Sequence, residues 1–538
     1  MERTWLNKKT GSTSELASPQ RKMKNKVQLI TYADRLAGGD LKALQALLTG
    51  PLAEVFGAVH LLPFFNAIDG ADAGFDPIDH TEVDARLGSW DDIRALSAHV
   101  DIMADVIVNH MSSRSPQFLD FLKLGGESRY AGLFLTLDKV FPNGATESDL
   151  LTLYRPRPGL PLTTVTCESG EQKILWTSFT SSQIDIDVHH PEGRAYLNKI
   201  LETFAANGVR LIRLDAVGYA VKKAGASSFM MPETFEFMAA FAAKAKALGL
   251  EVLVEVHSHY RKQIDIAQHV DWVYDFALPP LVLHSIFFKT AQYLKKWIAI
   301  RPNNALNVLD THDGIGVIDI GADASDRLGL PGLMPPHEIE QLVEKIHENS
   351  CGESELATGA AASNLDRYQV NCTFYAALGN DDNAYLLARA IQFFMPGIPQ
   401  VYYVGLLAGD NDMALLAQTG GGRDINRHFY SPDELAAALQ KRVVKDLLSL
   451  IEFRNTCPAF SGQMTLQEGN ASELVMDWRA GLHHAELSVD FLSLDFKIRY
   501  TAPGDLNAGS ELVLASRPAR GNVAGLDSKQ RMSRRDQN

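Results

Sequence analysis

The chain has 538 residues, a formal net charge of −14 and 46% hydrophobic residues. At about 100–200 residues per domain, this length predicts two to four packed units of a globular protein. The acidic balance disfavours a nucleic-acid-binding function, since such proteins need a basic surface to neutralise phosphates. No apolar run approaches the roughly 18–20 residues of a membrane span. The four cysteines include no CxxC pair, so we expect neither a disulfide framework nor a zinc site, and a cytoplasmic location.

The two ends of the chain carry a charge opposite to that of its body. Residues 1–26 have a net charge of +5 and residues 517–538 of +4, which leaves −23 on the residues between them. Both ends are polar, poor in aromatic residues and without periodicity, so we expect them to be disordered. The first end also lacks the apolar stretch of a secretory signal.

Short apolar runs, most of them followed by helical patterns, recur along the body of the chain. Eight of these runs are predicted strands: 27–32, 59–65, 102–108, 209–214, 252–256, 272–277, 307–309 and 400–404. Between them lie segments such as 232–250, where apolar residues recur at helical spacing and Gly249 suits a helix end. Strands that alternate with helices indicate a parallel sheet, and eight of them indicate a closed barrel. We therefore predict an α/β fold, a (β/α)8 TIM barrel.

The spacing of the strands indicates where this barrel carries extra segments. The eight strands span roughly 380 residues, whereas an uninterrupted barrel takes about 250. The surplus lies in two gaps, so we predict insertions after strands 3 and 7. Beyond residue 455, short alternating runs predict a small C-terminal antiparallel β domain. The resulting domain limits are 27–110, 193–314 and 376–455 for the barrel, 111–192 and 315–375 for the insertions, and 456–516 for the C-terminal domain.

Ionisable residues stand at the ends of four predicted strands, at the face where barrel enzymes build their sites. The motifs are Asp105-Val-Ile-Val-Asn109-His110, Arg213-Leu-Asp215, Glu255-Val-His257 and Asp310-Thr-His312-Asp313. Because side chains alternate along a strand, Glu255 and His257 should share one face, as should Arg213 and Asp215. If that face is the barrel interior, Asp215, Glu255 and Asp313 converge near its mouth. Such clustered acids have the perturbed pKa values on which acid–base chemistry depends.

Paired carboxylates about 5–5.5 Å apart are typical of retaining glycoside chemistry, in which one is the nucleophile and the other the acid and base. The four motifs resemble the signature regions of the α-amylase superfamily. Longer stretches, at 70–80, 154–161, 364–371 and 422–427, resemble the sucrose phosphorylase family within it. This resemblance runs from about residue 23 to about residue 462 and fades in the C-terminal β domain. It implies the transfer of a glucosyl group from sucrose to phosphate through a covalent enzyme ester.

The resemblance also implies roles at matching positions. Asp215 would be the nucleophile, Glu255 the acid and then the base, and Asp313 the stabiliser of the oxocarbenium-like transition state. The glucosyl ring would be held by Asp72, Phe75, His110, Phe179, Gln183, Arg213, His312 and Arg423. Phosphate and the acceptor sugar would meet Arg157, Tyr219, Val256, His257, Asp366, Arg367, Tyr368 and Gln369. An arginine suits phosphate because its guanidinium can donate two parallel hydrogen bonds.

The sequence predicts no cofactor, because it contains neither a glycine-rich phosphate loop nor a dinucleotide fingerprint. Asn109 resembles a calcium position of amylases, but no EF-hand-like spacing of carboxylates is present, so we expect no metal. We expect small-molecule substrates, namely sucrose, inorganic phosphate, glucose 1-phosphate and fructose, and neither nucleic acid nor membrane as partner. Monomer and homodimer are both open.

Three alternatives remain beside the phosphorolysis of sucrose. A related α-glucoside (sucrose 6′-phosphate, glucosylglycerol or glucosylglycerate) would use the same mechanism with other acceptor loops, and Arg367 could meet an acidic acceptor. A sucrose-acting hydrolase or transglucosylase would need no phosphate. A non-catalytic sugar-binding barrel is disfavoured by the complete set of three carboxylates.

Overall fold

The computed structural model describes residues 23–67, 73–155, 159–323, 329–358, 369–501 and 511–515. The strands in these ranges are β1 (Gln28–Thr31), β2 (Ala58–Leu61), β3 (Phe65–Ala67), β4 (Pro77–Val83), β5 (Asp101–Ile107), β6 (His110–Ser112), β7 (Leu162–Thr166), β8 (Gln172–Trp176), β9 (Gln183–Asp185), β10 (Val209–Asp215), β11 (Glu251–Val254), β12 (Trp272–Asp275), β13 (Ala305–Asn307), β14 (Ile315–Gly316), β15 (Gln369–Val370), β16 (Ile398–Tyr402), β17 (Gln463–Leu466), β18 (Glu473–Ala480), β19 (His483–Asp490), β20 (Asp495–Thr501) and β21 (Glu511–Ala515). The helices are α1 (Leu41–Thr49), α2 (Trp90–Ser97), α3 (Pro116–Leu124), α4 (Leu137–Val140), α5 (Glu147–Thr152), α6 (Pro191–Ala206), α7 (Pro232–Ala247), α8 (Tyr260–Ile266), α9 (Leu278–Phe288), α10 (Gln292–Ile300), α11 (Pro336–Asn349), α12 (Glu353–Leu356), α13 (Phe374–Ala377), α14 (Asp382–Phe394), α15 (Tyr403–Leu406), α16 (Met413–Thr419), α17 (Pro432–Ala438) and α18 (Arg442–Thr456).

Eight of the strands close into a barrel in the spatial order β1-β16-β13-β12-β11-β10-β5-β2. Neighbouring strands are parallel throughout, which confirms the predicted TIM barrel. The strands are almost wholly buried because helices cover the outer face and side chains fill the interior. Their apolar runs are therefore nearly continuous, which is the pattern that made them recognisable in the sequence.

Local chemistry sets the ends of these elements. The predicted second strand, 59–65, stops at Leu61, since Pro63 cannot donate a ladder hydrogen bond, and Phe65 begins the separate pair β3-β4. The predicted helix 232–250 forms as α7, with Pro232 in its first turn, where the missing N–H costs nothing. It ends two residues before Gly249, whose φ of +80° suits glycine.

Both predicted insertions are present. The segment between β5 and β10 contains the small sheets β6-β9 and β7-β8 and has its own hydrophobic clusters, one around Phe118 and Phe134 and one around Phe141 and Trp176. The segment between β13 and β16 contains the pair β14-β15 and helices α11 to α14. Because both follow the carboxyl ends of barrel strands, they lie beside the mouth of the barrel. The limits assigned to each domain stay predictions.

The predicted C-terminal antiparallel domain is confirmed as the sheet β17-β18-β19-β20-β21. On β18, alternate residues Leu474, Met476 and Trp478 are buried, and the Trp478 indole donates to the carbonyl of Phe394 at 2.8 Å. This sheet therefore packs against the barrel through α14. None of the helices described is long and apolar enough to cross a membrane.

The prediction of disorder for 1–26 extends too far. Residues 23–26 belong to the folded body: the Met23 amide donates to Glu251 Oε1 at 2.7 Å, and the Asn25 side chain bonds Phe460 and Arg454. These polar contacts hold the segment across the amino-terminal end of the barrel although it lacks apolar periodicity. Residues 1–22 and 517–538 lie outside the described residues.

Candidate active site

A pocket opens at the carboxyl-terminal mouth of the barrel. Most of the predicted site residues line it: Phe75, His110, Phe179, Gln183, Asp215, Tyr219, Glu255, Val256, His257, His312, Asp313, Gln369 and Arg423. Arg213 lies directly beneath the pocket and is bonded to Asp215. Asp72, Arg157, Asp366, Arg367 and Tyr368 lie outside the described residues, so their places stay predictions.

Arg213 connects the acids at the floor of the pocket. The β5–β10 register places it opposite Asp105, and its Nη1 donates to Asp105 Oδ1 at 2.6 Å and to Asp215 Oδ1 at 2.9 Å. Its Nη2 lies 3.9 Å from Glu255 Oε2. Burial raises the pKa of Asp215 well above its ordinary value; Arg213 opposes this shift, and the charges of Glu255 and Asp313 reinforce it. The cluster therefore retains a proton in a pH range where an isolated carboxyl would lose it.

The pKa of Asp313 is shifted in the opposite direction from that of Asp215. Burial alone would raise its pKa, but Arg423, whose Nη1 lies 2.7 Å from Asp313 Oδ1, and the neighbouring His312 hold that pKa well below the ordinary value. Asp313 is therefore a carboxylate at neutral pH, close to an acid that can hold a proton. One buried pocket thus contains both forms of the same group.

Glu255, His257 and Asp313 also form a cluster whose potential ligand atoms lie within 4.8 Å of one another, close enough for one metal ion. Arg423 pairs with Asp313, and Arg213 lies beside Glu255. The two guanidinium groups already neutralise the carboxylates, so this cluster is poorly suited to a divalent cation.

One wall of the pocket, which we call the Phe75 side (Phe75, His110, Gln183 and His312), is held by interlocking contacts. The Phe75 carbonyl accepts hydrogen bonds from His110 Nε2 at 2.9 Å and Gln183 Nε2 at 3.2 Å. Its ring stacks on His312 with centroids 4.8 Å apart and planes 8° from parallel. Burial lowers the pKa of His312 to about 3, and Arg213 adds to the effect. This side is therefore rigid and presents a neutral imidazole.

A second part of the lining, which we call the His257 side (Tyr219, Phe229, Val256 and His257), contains another stacked histidine. The His257 ring lies 3.8 Å from that of Phe276, with planes 16° from parallel, and its Nδ1 donates to Asp319 Oδ2 at 2.9 Å. Burial alone would lower the pKa of His257, but Asp319 and the other nearby carboxylates raise it above the ordinary value. Asp319 therefore favours the protonated form of His257 on this side of the pocket.

Comparison with known proteins gives a consistent assignment. Residues 39–285 match the alpha amylase catalytic domain. A sucrose phosphorylase from Agrobacterium vitis is 59% identical over 469 residues, 87% of this chain and 96% of the relative. Another from Bifidobacterium adolescentis is 54% identical over 87% of this chain and 92% of the relative. The structure of a sucrose 6F-phosphate phosphorylase from Thermoanaerobacter thermosaccharolyticum superposes with a TM-score of 0.84 at 39% identity, over 92% and 98% of the two chains.

The chain belongs to the sucrose phosphorylase family of the α-amylase superfamily.

In this member of the sucrose phosphorylase family, several of the side chains that line the pocket lie on the loops that follow the barrel strands. β11 ends at Val254, so Glu255, Val256 and His257 all follow it, and all three line the pocket. We expected Glu255 and His257 to share a face because side chains alternate along a strand. Both do line the pocket, but they lie in the loop after β11, so strand alternation is not the cause. β13 likewise ends at Asn307, and Asp313 lies in the following loop.

Three lining residues, Ala216, Gly218 and Phe229, were not predicted. Ala216 follows the nucleophile position with a left-handed φ of +53°, which turns the chain sharply after β10. Phe229 stacks on Tyr154 at 4.3 Å and packs beside Tyr219 at 4.7 Å. In the sequence, Phe229 belongs to the apolar run before α7, where core packing is the ordinary interpretation. For Ala216 and Gly218, the available signal is their position just after the strand-end motif of Asp215.

Proposed function

We propose that the protein catalyses the reversible phosphorolysis of sucrose to α-D-glucose 1-phosphate and D-fructose, with retention at the anomeric carbon. The observation that carries this proposal is the meeting of Asp215, Glu255 and Asp313 in one pocket, joined to two arginines. Membership of the sucrose phosphorylase family supports phosphate as the acceptor, and His257, whose protonated form Asp319 favours, supplies a group that an anion would meet.

In the first step, an Asp215 oxygen attacks the anomeric carbon while the glycosidic bond to fructose breaks. This step needs Asp215 ionised and Glu255 protonated, and Arg213 Nη1, 2.9 Å from Asp215 Oδ1, favours the ionised form of Asp215. Glu255 gives this proton to the departing fructose oxygen. The products of this step are fructose and a glucosyl ester on Asp215.

Asp313 serves the positive charge that develops on the sugar ring. Its low pKa keeps it ionised, and the Arg423 contact at 2.7 Å fixes its orientation. A carboxylate preorganised in a buried site stabilises such a charge more strongly than water does, because it does not have to reorient.

In the second step, a phosphate oxygen attacks the anomeric carbon from the side that fructose left, the ester bond to Asp215 breaks and frees its carboxylate, and Glu255 takes the proton of the attacking phosphate. Two inversions give net retention. We assign the reception of phosphate and acceptor sugar to the His257 side and to the predicted residues Arg157, Asp366, Arg367 and Tyr368. Gln369, which lines the pocket on β15, accepts from Arg423 Nη2 at 3.4 Å and so connects this group with the site of Asp313.

The proposal requires no metal or organic cofactor, since nucleophile, acid and base are all side chains. It also includes a cytoplasmic location, because glucose 1-phosphate conserves the glycosidic bond energy only where the product is retained.

The decisive experiment is to incubate the protein with sucrose, with and without phosphate, and to quantify glucose 1-phosphate, free glucose and fructose. We expect glucose 1-phosphate to dominate when phosphate is present. Free glucose as the main product under both conditions would contradict the proposal and indicate a hydrolase. Turnover of sucrose 6′-phosphate, glucosylglycerol or glucosylglycerate in place of sucrose would assign a related phosphorolysis.

A further inference from the structure

Asp319 is a buried carboxylate that, among the described residues, reaches the pocket through His257. It lies in a helical turn, Ile318–Ile320, of the insertion after β13, and its side chain is inaccessible to solvent. Three donors reach it: His257 Nδ1 at 2.9 Å, the Ser258 amide at 3.1 Å and Gln263 Nε2 at 3.0 Å. Only one of these donors, the imidazole, also faces the pocket.

The surroundings leave the His257 ring one orientation. Phe276 stacks on it at 3.8 Å, and Gly316 lies on the path to Asp319. A Cβ at Gly316 would fall 2.5 Å from Asp319 Oδ2 and 3.1 Å from His257 Nδ1, so a larger residue there would separate the pair. With Nδ1 held, Nε2 is left on the side of Glu255, 3.8 Å from Oε1.

The charges facing His257 among the described residues come from three segments. Glu255 precedes it on its own loop, Asp313 lies on the loop after β13, and Asp319 lies on the helical turn. Phe276 and Gly316 carry none. Glu255 and Asp313 also have arginine neighbours, whereas the shortest of the three contacts is the one to Asp319. Asp319 is therefore the carboxylate best placed to fix the charge of the imidazole.

We propose that Asp319 is a positioning residue that holds His257 as a cation beside Glu255 and so favours phosphate over water as acceptor of the glucosyl group. This proposal rests on the proposed phosphorolysis. When the glucosyl ester has formed, Glu255 is ionised, and it repels the approaching phosphate. A fixed imidazolium offsets that repulsion for an anion, whereas neutral water gains little from it. The device therefore acts on the partition between glucose 1-phosphate and glucose.

The test is the product ratio of Asp319→Asn at several phosphate concentrations. Asparagine removes the charge and keeps an acceptor oxygen, so we expect kcat/KM for phosphate to fall about tenfold to a hundredfold, as for the loss of a charge-assisted contact. Hydrolysis of sucrose without phosphate should fall less. The glucose 1-phosphate to glucose ratio should therefore drop, and its decline with rising pH should begin at a lower pH, since burial without Asp319 lowers the pKa of His257.

Two further variants separate positioning from folding. Asp275→Asn also alters a buried aspartate with several donors (Trp297, Arg301 and the Leu278 amide), but away from the pocket, and it should leave the product ratio unchanged. His257→Gln keeps a donor for Asp319 without the charge, and it should reproduce the changed ratio whether or not Asp319→Asn folds. Adding Asp319→Asn to it should change the ratio no further.

An unchanged ratio in His257→Gln or Asp319→Asn, or an equal fall of both products, would overturn the proposal. The unmodified protein reports separately on the proposed function. If it forms no glucose 1-phosphate, the phosphorolysis is wrong, whereas a normal yield beside an unchanged variant ratio removes only the role of Asp319.

Discussion

Each of the two walls of the pocket holds a histidine in similar packing, but the pKa values of the two imidazoles are shifted in opposite directions. On the Phe75 side, His312 stacks on Phe75 and its pKa falls to about 3; on the His257 side, His257 stacks on Phe276 and its pKa rises. Burial lowers both pKa values. Asp319, 2.9 Å from His257, offsets that effect, whereas Asp313 lies farther from His312, at 3.7 Å, and the charges of Arg213 and Arg427 lower the pKa of His312 further. The charge of a buried histidine is thus set by its partner. We propose that the neutral wall serves the uncharged sugar and the charged wall serves phosphate.

The largest expected loss of activity follows the replacement of Asp215, the nucleophile in the pocket. Asp215→Asn removes the nucleophile, so turnover of sucrose should fall by roughly 10⁴-fold or more, with and without phosphate. Product formation in both reactions, measured beside circular dichroism to show retained folding, checks this. Near-normal turnover would mean that another group attacks the sugar and that the two walls do not flank the nucleophile.

Glu255→Gln should be the next most damaging change, because it removes the proton for the leaving fructose. We expect turnover of sucrose to fall by about 10²–10⁴-fold. α-D-Glucosyl fluoride, whose leaving group needs no protonation, should retain far more activity in the first step. Equal losses on sucrose and on the fluoride would contradict the acid role of Glu255.

Lys222 contacts residues linked to both walls, so replacing it tests whether these contacts stabilise the folded protein. Its buried ammonium lies 2.7 Å from Asp185 Oδ2 and 2.8 Å from Asn109 Oδ1, and it also donates to the Tyr219 carbonyl. Asp185 pairs in β6-β9 with His110 of the Phe75 side, whereas Tyr219 belongs to the His257 side. Lys222→Met should lower the free energy of unfolding by about 3–5 kcal/mol, the usual cost of an unpaired buried charge.

The adjacent lysine provides the matched control. Lys223 is exposed and pairs with Glu233 on the surface, so Lys223→Met should leave the melting temperature nearly unchanged. Thermal unfolding of both variants, followed by calorimetry, decides the matter. Similar melting temperatures for the two would show that the buried contact of Lys222 adds little to the stability of the pocket.

Some features of this pocket could be predicted from the sequence, and others could not. The barrel and the position of Asp215 follow from runs of buried residues and from a motif at the end of β10, because short-range patterns determine both. Asp319 could not be found in this way, since its partner lies 62 residues earlier in the chain and only the folded insertion joins them. Phe229 escaped for a related reason: an apolar residue before a helix looks the same whether it lines a pocket or fills a core.

The smallest expected effect concerns the neutral wall and the pH dependence of stability. In the unfolded chain His312 takes up a proton near its ordinary pKa of 6.5, whereas in the folded protein it does so only near pH 3. Between these values the unfolded state binds more protons, so stability falls as the pH falls, by about 1.4 kcal/mol per pH unit for this one group.

His312→Gln should flatten that fall, whereas His189→Gln, which alters an exposed histidine, should not. Urea unfolding at intervals from pH 7 to pH 4.5 measures the slopes, and their difference from the unmodified protein removes the contribution of the other acids. Equal slopes in all three proteins would mean that His312 protonates alike in folded and unfolded chains. In that case His312 would also become positively charged on acidification. The pocket would then hold two cationic histidines at low pH, and the Phe75 side would not stay neutral.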